Sequence, residues 1–365
     1  MISRERLETI LRTLPRLTIG LVGDLFLDRY LHLIPGGREL SIETGLETYQ
    51  VEGVRNSPGA LGTVMNNLAA LGAGLLVPVT VIGDDGHGFD LLREVRKLPV
   101  DPAQIVCLPD RLTPTYTKPM RQHGDGAWHE LNRLDIRTRA PLSAAATAEV
   151  CRRVEEVFRT SDGLIVLDQL VDEDCGVVNA AVRDTVERLA RQQPDKLIYV
   201  DSRRFLGRFA AGVLKGNRSE VLAAGAVGNA LRGVPGPAND ADFTDHGTAQ
   251  RPFPTDDEAV WQSLAALSRK TRCAAFCTLG ERGILVARPD HEPTLVAGWP
   301  VTGPIDIVGA GDAATSGIVT ALLAGATELE AAALGNLVAS ITIQQLGTTG
   351  TATPQQVRDR WQAIS

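Results

Sequence analysis

The sequence carries no lysine-arginine block, and its 37 basic residues are outnumbered by 44 acidic ones, for a net charge of −7. This excludes a nucleic-acid binder working through a broad basic face. A small anionic ligand stays admissible, because local geometry holds it rather than net charge. No stretch reaches 18 consecutive apolar residues, so no membrane contact is expected. No signal peptide is expected either: the opening MISRERLETILRTLPRL mixes acids and arginines with Ile2, Leu7, Ile10, Leu11 and Leu14 at helical spacing, the pattern of a docked surface helix. The five cysteines, Cys107, Cys151, Cys175, Cys273 and Cys277, are scattered and form no CxxC pair, which fits a reducing, cytoplasmic setting. Cys273 and Cys277 of CAAFC fall on one face of an expected strand and read as buried packing rather than a redox or metal pair. The six histidines lack metal-ligand spacing. Aromatic residues are scarce at 4%, yet 44% hydrophobic and 22% charged residues describe an ordinary globular chain, neither disordered nor coiled-coil.

What is present is an alternation of short apolar runs with helical patterns, the sign of βα units around a largely parallel sheet. The expected strands are 17–24, 74–83, 163–168, 197–201, 213–217, 274–280 and 283–288. Several end in Asp, Asn or Gly, which directs polar side chains to the crevice outside the carboxyl ends of the strands. Residues 43–56 and 113–135 break the rhythm with Thr, Tyr and Val alternation and a GDG turn at 124–126, and read as antiparallel strands of a small lid. The Pro-, Gly- and Asp-rich stretch 223–255 reads as a long surface loop. Toward the end, a helix over 313–324 stops at Gly325, and Thr327 with Glu330, then Thr353 with Gln356, open two more helices as capping boxes. No internal repeat is visible.

Within IDIVGAGDAATSG (305–317), Gly309-Ala310-Gly311 precedes a helix that starts near Asp312. Three backbone N–H groups and the helix dipole are expected to converge there, favouring negative charge. In a ground-state phosphate cradle a carboxylate at Asp312 would repel the ligand. The acid makes sense as a general base that takes a hydroxyl proton while the amides hold a phosphoryl group. A Walker A loop is excluded, because no Lys-Ser or Lys-Thr follows. A dinucleotide fingerprint fits GAGDAA on paper but requires a following strand ending in an acid, where a second helix is expected. A plain helix cap at Asp312 also remains open at this point.

VGD-LFLD at 22–28, SPGALGTVMNNLAALGA at 57–73, NRSE at 217–220, TLGERG at 278–283, DIVGAGD at 306–312 and GNLVASITIQQLGT at 335–348 together resemble, in order and spacing, the ribokinase or PfkB-type carbohydrate kinases, over nearly the whole chain. GDLFLDRY, TKPMR and LNRLD resemble most closely the kinase half of bifunctional ADP-heptose synthases; no nucleotidyltransferase half is expected after Ser365. The resemblance implies one ribokinase-like α/β domain over 1–365, a central mostly parallel sheet flanked by helices, with lid strands within 30–56 and 112–135 and the insertion at 223–255. It implies Asp312 as catalytic base and Gly309, Ala310 and Gly311 as anion hole. Asn217 and Glu220 match an NxxE motif that organises Mg²⁺, through water at Glu220, and the phosphates of ATP. Thr278, Gly280, Gly283 and Asn336 match nucleotide-binding positions, and Asp306 a position near a monovalent cation, K⁺ in relatives. Read alone, TLGERG is a tight turn between strands, Asn336 a packing residue and Glu220 a helix-start acid.

On the acceptor side, Asp28 matches an aspartate that holds sugar hydroxyls, and Gly59 the first glycine of a GGxxxN signature. That signature is altered: Ala60 stands for its second glycine and Thr63 for its asparagine. Val308 replaces a common threonine, 167–176 lacks a lysine found in heptose-kinase relatives, and Ser202-Arg203 stand for Pro-Lys. Lys118, Arg121 and Arg133 read either as contacts to an anionic substrate or as solvated lid charges. The expectation is an ATP-dependent kinase acting on a sugar or sugar phosphate, dimeric through the lid edge. Alternatives are a binding protein of the same fold with impaired catalysis, a nucleoside kinase and, last, an NAD-dependent oxidoreductase.

Overall fold

A computed structural model describes residues 2–34, 39–122, 126–230 and 254–363. Along the chain, helix α1 (Arg4–Thr13) leads into β1 (Thr18–Gly23), β2 (Leu25–Leu33), the short β3 (Glu39–Leu40) and β4 (Glu47–Thr48), and β5 (Val51–Ala60). Then come α2 (Leu61–Ala70), β6 (Leu75–Gly83), α3 (Gly86–Val95), β7 (Ile105–Leu108), β8 (Thr115–Gln122), β9 (Trp128–Glu130) and β10 (Leu134–Ile136). The middle holds α4 (Ala144–Thr160), β11 (Gly163–Asp168), α5 (Ala180–Gln192), β12 (Leu197–Ser202), β13 (Val213–Asn217) and α6 (Arg218–Ala230). The last part is α7 (Pro254–Thr271), β14 (Ala275–Thr278), β15 (Gly283–Ala287), β16 (Thr294–Ala297), α8 (Ala310–Leu323), α9 (Glu328–Thr342) and α10 (Pro354–Gln362).

Nine strands form one sheet in the order β16-β15-β14-β13-β12-β11-β1-β6-β7, parallel from β14 through to β7 and antiparallel at the β14–β15–β16 edge. Its strands are apolar on both faces because helices cover both. Ile165 and Leu167 of β11 enter one core with Leu61, Ile318 and Leu334, whereas Leu164 and Val166 enter the other with Val150, Val182 and Leu264. Period-two alternation thus feeds two separate cores from one strand. Helix α8 crosses α9 where both carry glycine; a Cβ on Gly317 would lie 2.8 Å from the Gly335 Cα. That close crossing fixes the start of α8 relative to the sheet.

The second sheet has the order β10-β8-β2-β5, with β9 on β8. Its strands begin at Leu25 and reach Ile136, wider than the expected spans 30–56 and 112–135. It is also mixed: β2 pairs antiparallel with β5 but parallel with β8, because β8 arrives after a full α/β crossover and not through a hairpin. Both capping boxes, Thr327 with Glu330 and Thr353 with Gln356, are present. Of the expected loop 223–255, residues 223–230 continue α6 and 254–255 begin α7; 231–253, and residues 124 and 125 of the GDG turn, lie outside the described residues.

Ala60, the last residue of β5, sits at φ 53°, ψ −113°, a conformation that suits glycine. Ala60→Gly is expected to stabilise the fold by about 1 kcal/mol, relief of strain outweighing the extra freedom of glycine in the unfolded chain. A higher urea midpoint at unchanged slope is the measurement.

Candidate active site

The carboxyl ends of β12, β13 and β14 and the start of α8 meet at one place. Gly309 caps α8 with φ 82°, and a Cβ there would come within 2.4 Å of Thr349 Cγ2. Only glycine turns the chain into the helix at this point without displacing the 349 segment. Asp306 holds the turn: its Oδ1 accepts from Val308 N–H at 3.0 Å and its Oδ2 from Gly347 N–H at 3.1 Å. Ala310 N–H is already bonded to Ile307 O at 3.1 Å. The expected trio of free donors is therefore shifted: Gly309, Gly311 and Asp312 keep N–H groups with no recorded acceptor among the described residues, as the first turn of a helix leaves them.

Asp312 stands in that first turn, half-buried, with its carboxyl pushed up to about 7. Burial is the leading cause, and Asp201 and Glu220 add to it, while Lys215 and Arg203 pull the other way. Asp201, at the end of β12, forms a buried ion pair with Lys215 of β13 at 2.7 Å, both side chains 6% exposed. Thr315 Oγ1 donates to the same Asp201 Oδ2 at 3.1 Å. Sequence reasoning passed over Lys215, Asp201 and Thr315. The available signal was a lysine inside VLKGN, a strand flanked by other buried strands, where an unpaired ammonium would be costly.

Asn217 and Glu220 close on each other. Asn217 Oδ1 accepts from Glu220 N–H at 3.0 Å and Glu220 Oε2 from Asn217 N–H at 2.7 Å, a reciprocal cap on α6. Glu220 Oε1 makes no recorded hydrogen bond among the described residues, and burial with the nearby Asp201 raises its pKa. Asn217, Thr278 and Gly280 line one cavity of about 250 Å³ together with Arg218, Ser219, Leu279 and Arg282. Gly283 lies at the far side of the 280–282 turn with φ 102°, where a Cβ would strike Val296 O at 2.2 Å. Asn336 is not in this cavity: its Nδ2 is bonded to Val296 O at 2.9 Å and Ala297 O at 3.1 Å.

Under the small sheet a second group assembles. Asp28 lies against Gly59, where a Cβ would meet Asp28 Oδ2 at 2.6 Å and push the carboxylate aside. Lys118 Nζ sits 3.2 Å from Asp28 Oδ1 and donates to Tyr30 OH at 3.2 Å. Arg133 grips Asp135 with both nitrogens and stacks 4.4 Å over the Tyr116 ring. Arg121, three residues after Lys118, falls on the opposite face of β8 and pairs with Glu47 at 3.2 Å, so the structure does not bring it to this group. Thr63 is buried in α2 with its methyl 3.7 Å from where a Gly309 Cβ would lie, and so stands beside the loop at 309. The positive field of Arg203 reaches both Tyr116 and Asp312, which ties the two groups together.

The tight strand-turn-helix that a dinucleotide fingerprint needs is not formed here, because β16 ends at Ala297, well before the loop at 309, and α9 follows α8. Residues 240–356 match the sequence profile of the pfkB family carbohydrate kinases. That match spans 117 of the 365 residues, from the segment before α7 to α10. The chain is 27% identical over 356 residues to the bifunctional protein HldE of Pelobacter propionicus, covering 97% of this chain and 65% of that relative. Among solved structures it resembles a ribokinase of Cryptococcus neoformans in complex with ADP, with TM-score 0.62, 17% identity and coverage of 94% and 99% of the two chains. It also resembles phosphofructokinase-2 of Escherichia coli in complex with potassium, with TM-score 0.64, 16% identity and coverage of 95% and 99%. The fold is therefore ribokinase-like. Among the described residues no helix is long and apolar enough to cross a membrane, and no cluster of three or more His, Cys, Asp or Glu has the arrangement of a metal site.

Proposed function

We propose that the protein is an ATP-dependent kinase of a sugar or sugar phosphate, working as one domain, with Asp312 as the base. The observation that carries this reading is a carboxyl group, its pKa raised by burial and Asp201 to about 7, in the first turn of a helix whose entry glycine is locked in a left-handed turn. The acceptor hydroxyl gives its proton to Asp312 as its oxygen bonds to the γ-phosphorus, and the β,γ-bridging oxygen leaves with ADP. Free N–H groups at 309, 311 and 312 face the charge on the phosphoryl oxygens. Asn217, Thr278, Gly280 and Gly283 form the nucleotide wall. Asn336 supports it by pinning the end of β16 to α9. Glu220, whose Oε1 makes no recorded hydrogen bond among the described residues, is the residue that would hold Mg²⁺ through water, and the ion would supply positive charge to the phosphates. Asp306, with both oxygens committed to backbone N–H groups, orders the loop beside which a K⁺ would sit.

Asp28 accepts two hydroxyl hydrogens of the acceptor at once, with Gly59 leaving it room and Lys118 holding it in place. The resemblance of GDLFLDRY, TKPMR and LNRLD to the kinase half of ADP-heptose synthases supports a heptose-type acceptor. The five thiols are all free, in keeping with a cytoplasmic protein. A homodimer is supported by the free edge of β5 and the exposed Val51, Val54, Leu40, Ile42 and Leu46 beside it. Sedimentation at twice the chain mass is the expected result.

The decisive assay incubates the protein with ATP, Mg²⁺ and a panel of sugars and sugar phosphates. Acceptor-dependent ADP release with a phosphate ester as product is expected. Absence of release across the panel, together with a thermal shift by sugar alone, would instead establish a binding protein.

A further inference from the structure

An ammonium group has three hydrogens to donate, and burying it with donors unspent is costly. Lys215 Nζ spends one, on Asp201 Oδ2 at 2.7 Å, and no other acceptor is recorded for it among the described residues. The group is 6% exposed, so bulk water does not serve the remaining two. Its direction is fixed by the strand: Lys215 points across the sheet end to the α8 entry, where a Cβ on Gly311 would lie 3.3 Å from Nζ. Gly311 is one of the loop residues whose own N–H is unspent. An ammonium with two hydrogens unspent thus lies beside a loop residue whose amide has no recorded acceptor.

The charges around that space sharpen the point. Asp201 from β12, Glu220 from α6 and Asp312 from α8 all act on it, and an arriving triphosphate adds more negative charge. Against them stand Arg203, which is exposed, and Lys215, which is buried. Burial disfavours the charged form of Lys215, but Asp201 and its neighbours outweigh it and raise the pKa of the ammonium. Thr315 occupies a further position on Asp201 Oδ2 and keeps that carboxylate turned toward the lysine.

From this geometry we infer that Lys215 is a catalytic residue: its ammonium donates to a non-bridging oxygen of the phosphoryl group as that group passes from ADP to the acceptor. Asp201 and Thr315 act as positioning residues for it. The bonds made and broken are those of the proposed kinase reaction, on which this inference rests; Lys215 keeps its proton throughout and neutralises charge on the transferring group. The pairing also explains why position 311 is glycine, since any side chain there would stand between the ammonium and the phosphoryl oxygen.

The test compares the wild type with the double variant Lys215→Met, Asp201→Asn, which removes the cation without leaving a buried carboxylate alone. The double variant is expected to lose about 10²-fold in kcat, with the KM for ATP changed far less. A double variant that keeps the wild-type kcat would overturn the inference. A second measurement needs no substitution: the chain has five lysines, so ¹⁵N-lysine labelling gives few side-chain signals. The slowly exchanging buried one is expected to move when ADP and aluminium fluoride are added. If it stays in place while the protein binds ADP, Lys215 does not touch the phosphoryl position. A wild-type protein that turns over no acceptor would count against the kinase reading, whereas an active wild type with an indifferent Lys215 counts against this inference alone.

Discussion

Asp312→Asn is expected to lower kcat by roughly 10²–10⁴-fold with little change in ATP affinity. The substitution keeps the size and leaves Ser316 Oγ bonded to the backbone oxygen of residue 312, so the start of α8 survives. What it removes is the acceptor of the hydroxyl proton. The pH dependence follows from the same group. With the wild-type carboxyl near 7, the base is mostly protonated at pH 6 and below, and kcat should fall about tenfold per unit on that side. The asparagine variant should show no such limb. Stability moves the opposite way. A carboxyl whose folded pKa lies above its unfolded value favours the fold below the unfolded value near 3.8, and that contribution is lost as pH rises through about 7. Asp312→Asn should therefore raise Tm relative to wild type at pH 8, with the difference vanishing near pH 4. A variant with near wild-type turnover, or one that loses stability at pH 8, would show that Asp312 is a structural cap and not the base.

Much of the architecture was legible because strands and helices announce themselves locally. LTIGLVGD, GLIVLD and LIYVD each became a parallel strand ending at the crevice, and Thr327 and Thr353 capped helices as their side chains dictate. The small sheet was read less well. Its parallel β2–β8 pairing joins strands about 90 residues apart, and no local pattern reports a partner at that distance. Arg121 was grouped with Lys118 because both are basic and close in sequence, yet an odd separation on a strand sends them to opposite faces. Ala310 was counted as a donor, but the turn that brings the chain to α8 consumes its N–H on Ile307. Asn217 and Glu220 were visible as a motif, while their mutual capping depends on α6 beginning where β13 ends. Lys215 was the most consequential omission. A single lysine in an apolar strand carries no periodic signal, and its partner Asp201 comes from a different strand.

Gly309→Ala is expected to cost roughly 10³-fold in kcat, because it disturbs several donors at once and not a single contact. At φ 82° the added methyl imposes a left-handed strain of about 1–2 kcal/mol. It also collides with Thr349 Cγ2 at 2.4 Å. The chain cannot relieve the clash by moving the 349 segment alone, since Gly347 N–H in that segment is tied to Asp306, which also holds Val308. The loop must therefore swing, carrying the 309 and 311 N–H groups and Asp312 away from their shared focus. Gly325→Ala separates strain from function. Gly325 has φ 75° with nothing within 4 Å of an added Cβ, and it lies beyond the other end of α8. It should lose only the left-handed share of that stability, about 1–2 kcal/mol in urea, with kcat unchanged. If both variants lose stability and Gly309→Ala keeps its turnover, the amide focus at the start of α8 does not stabilise the transferring group.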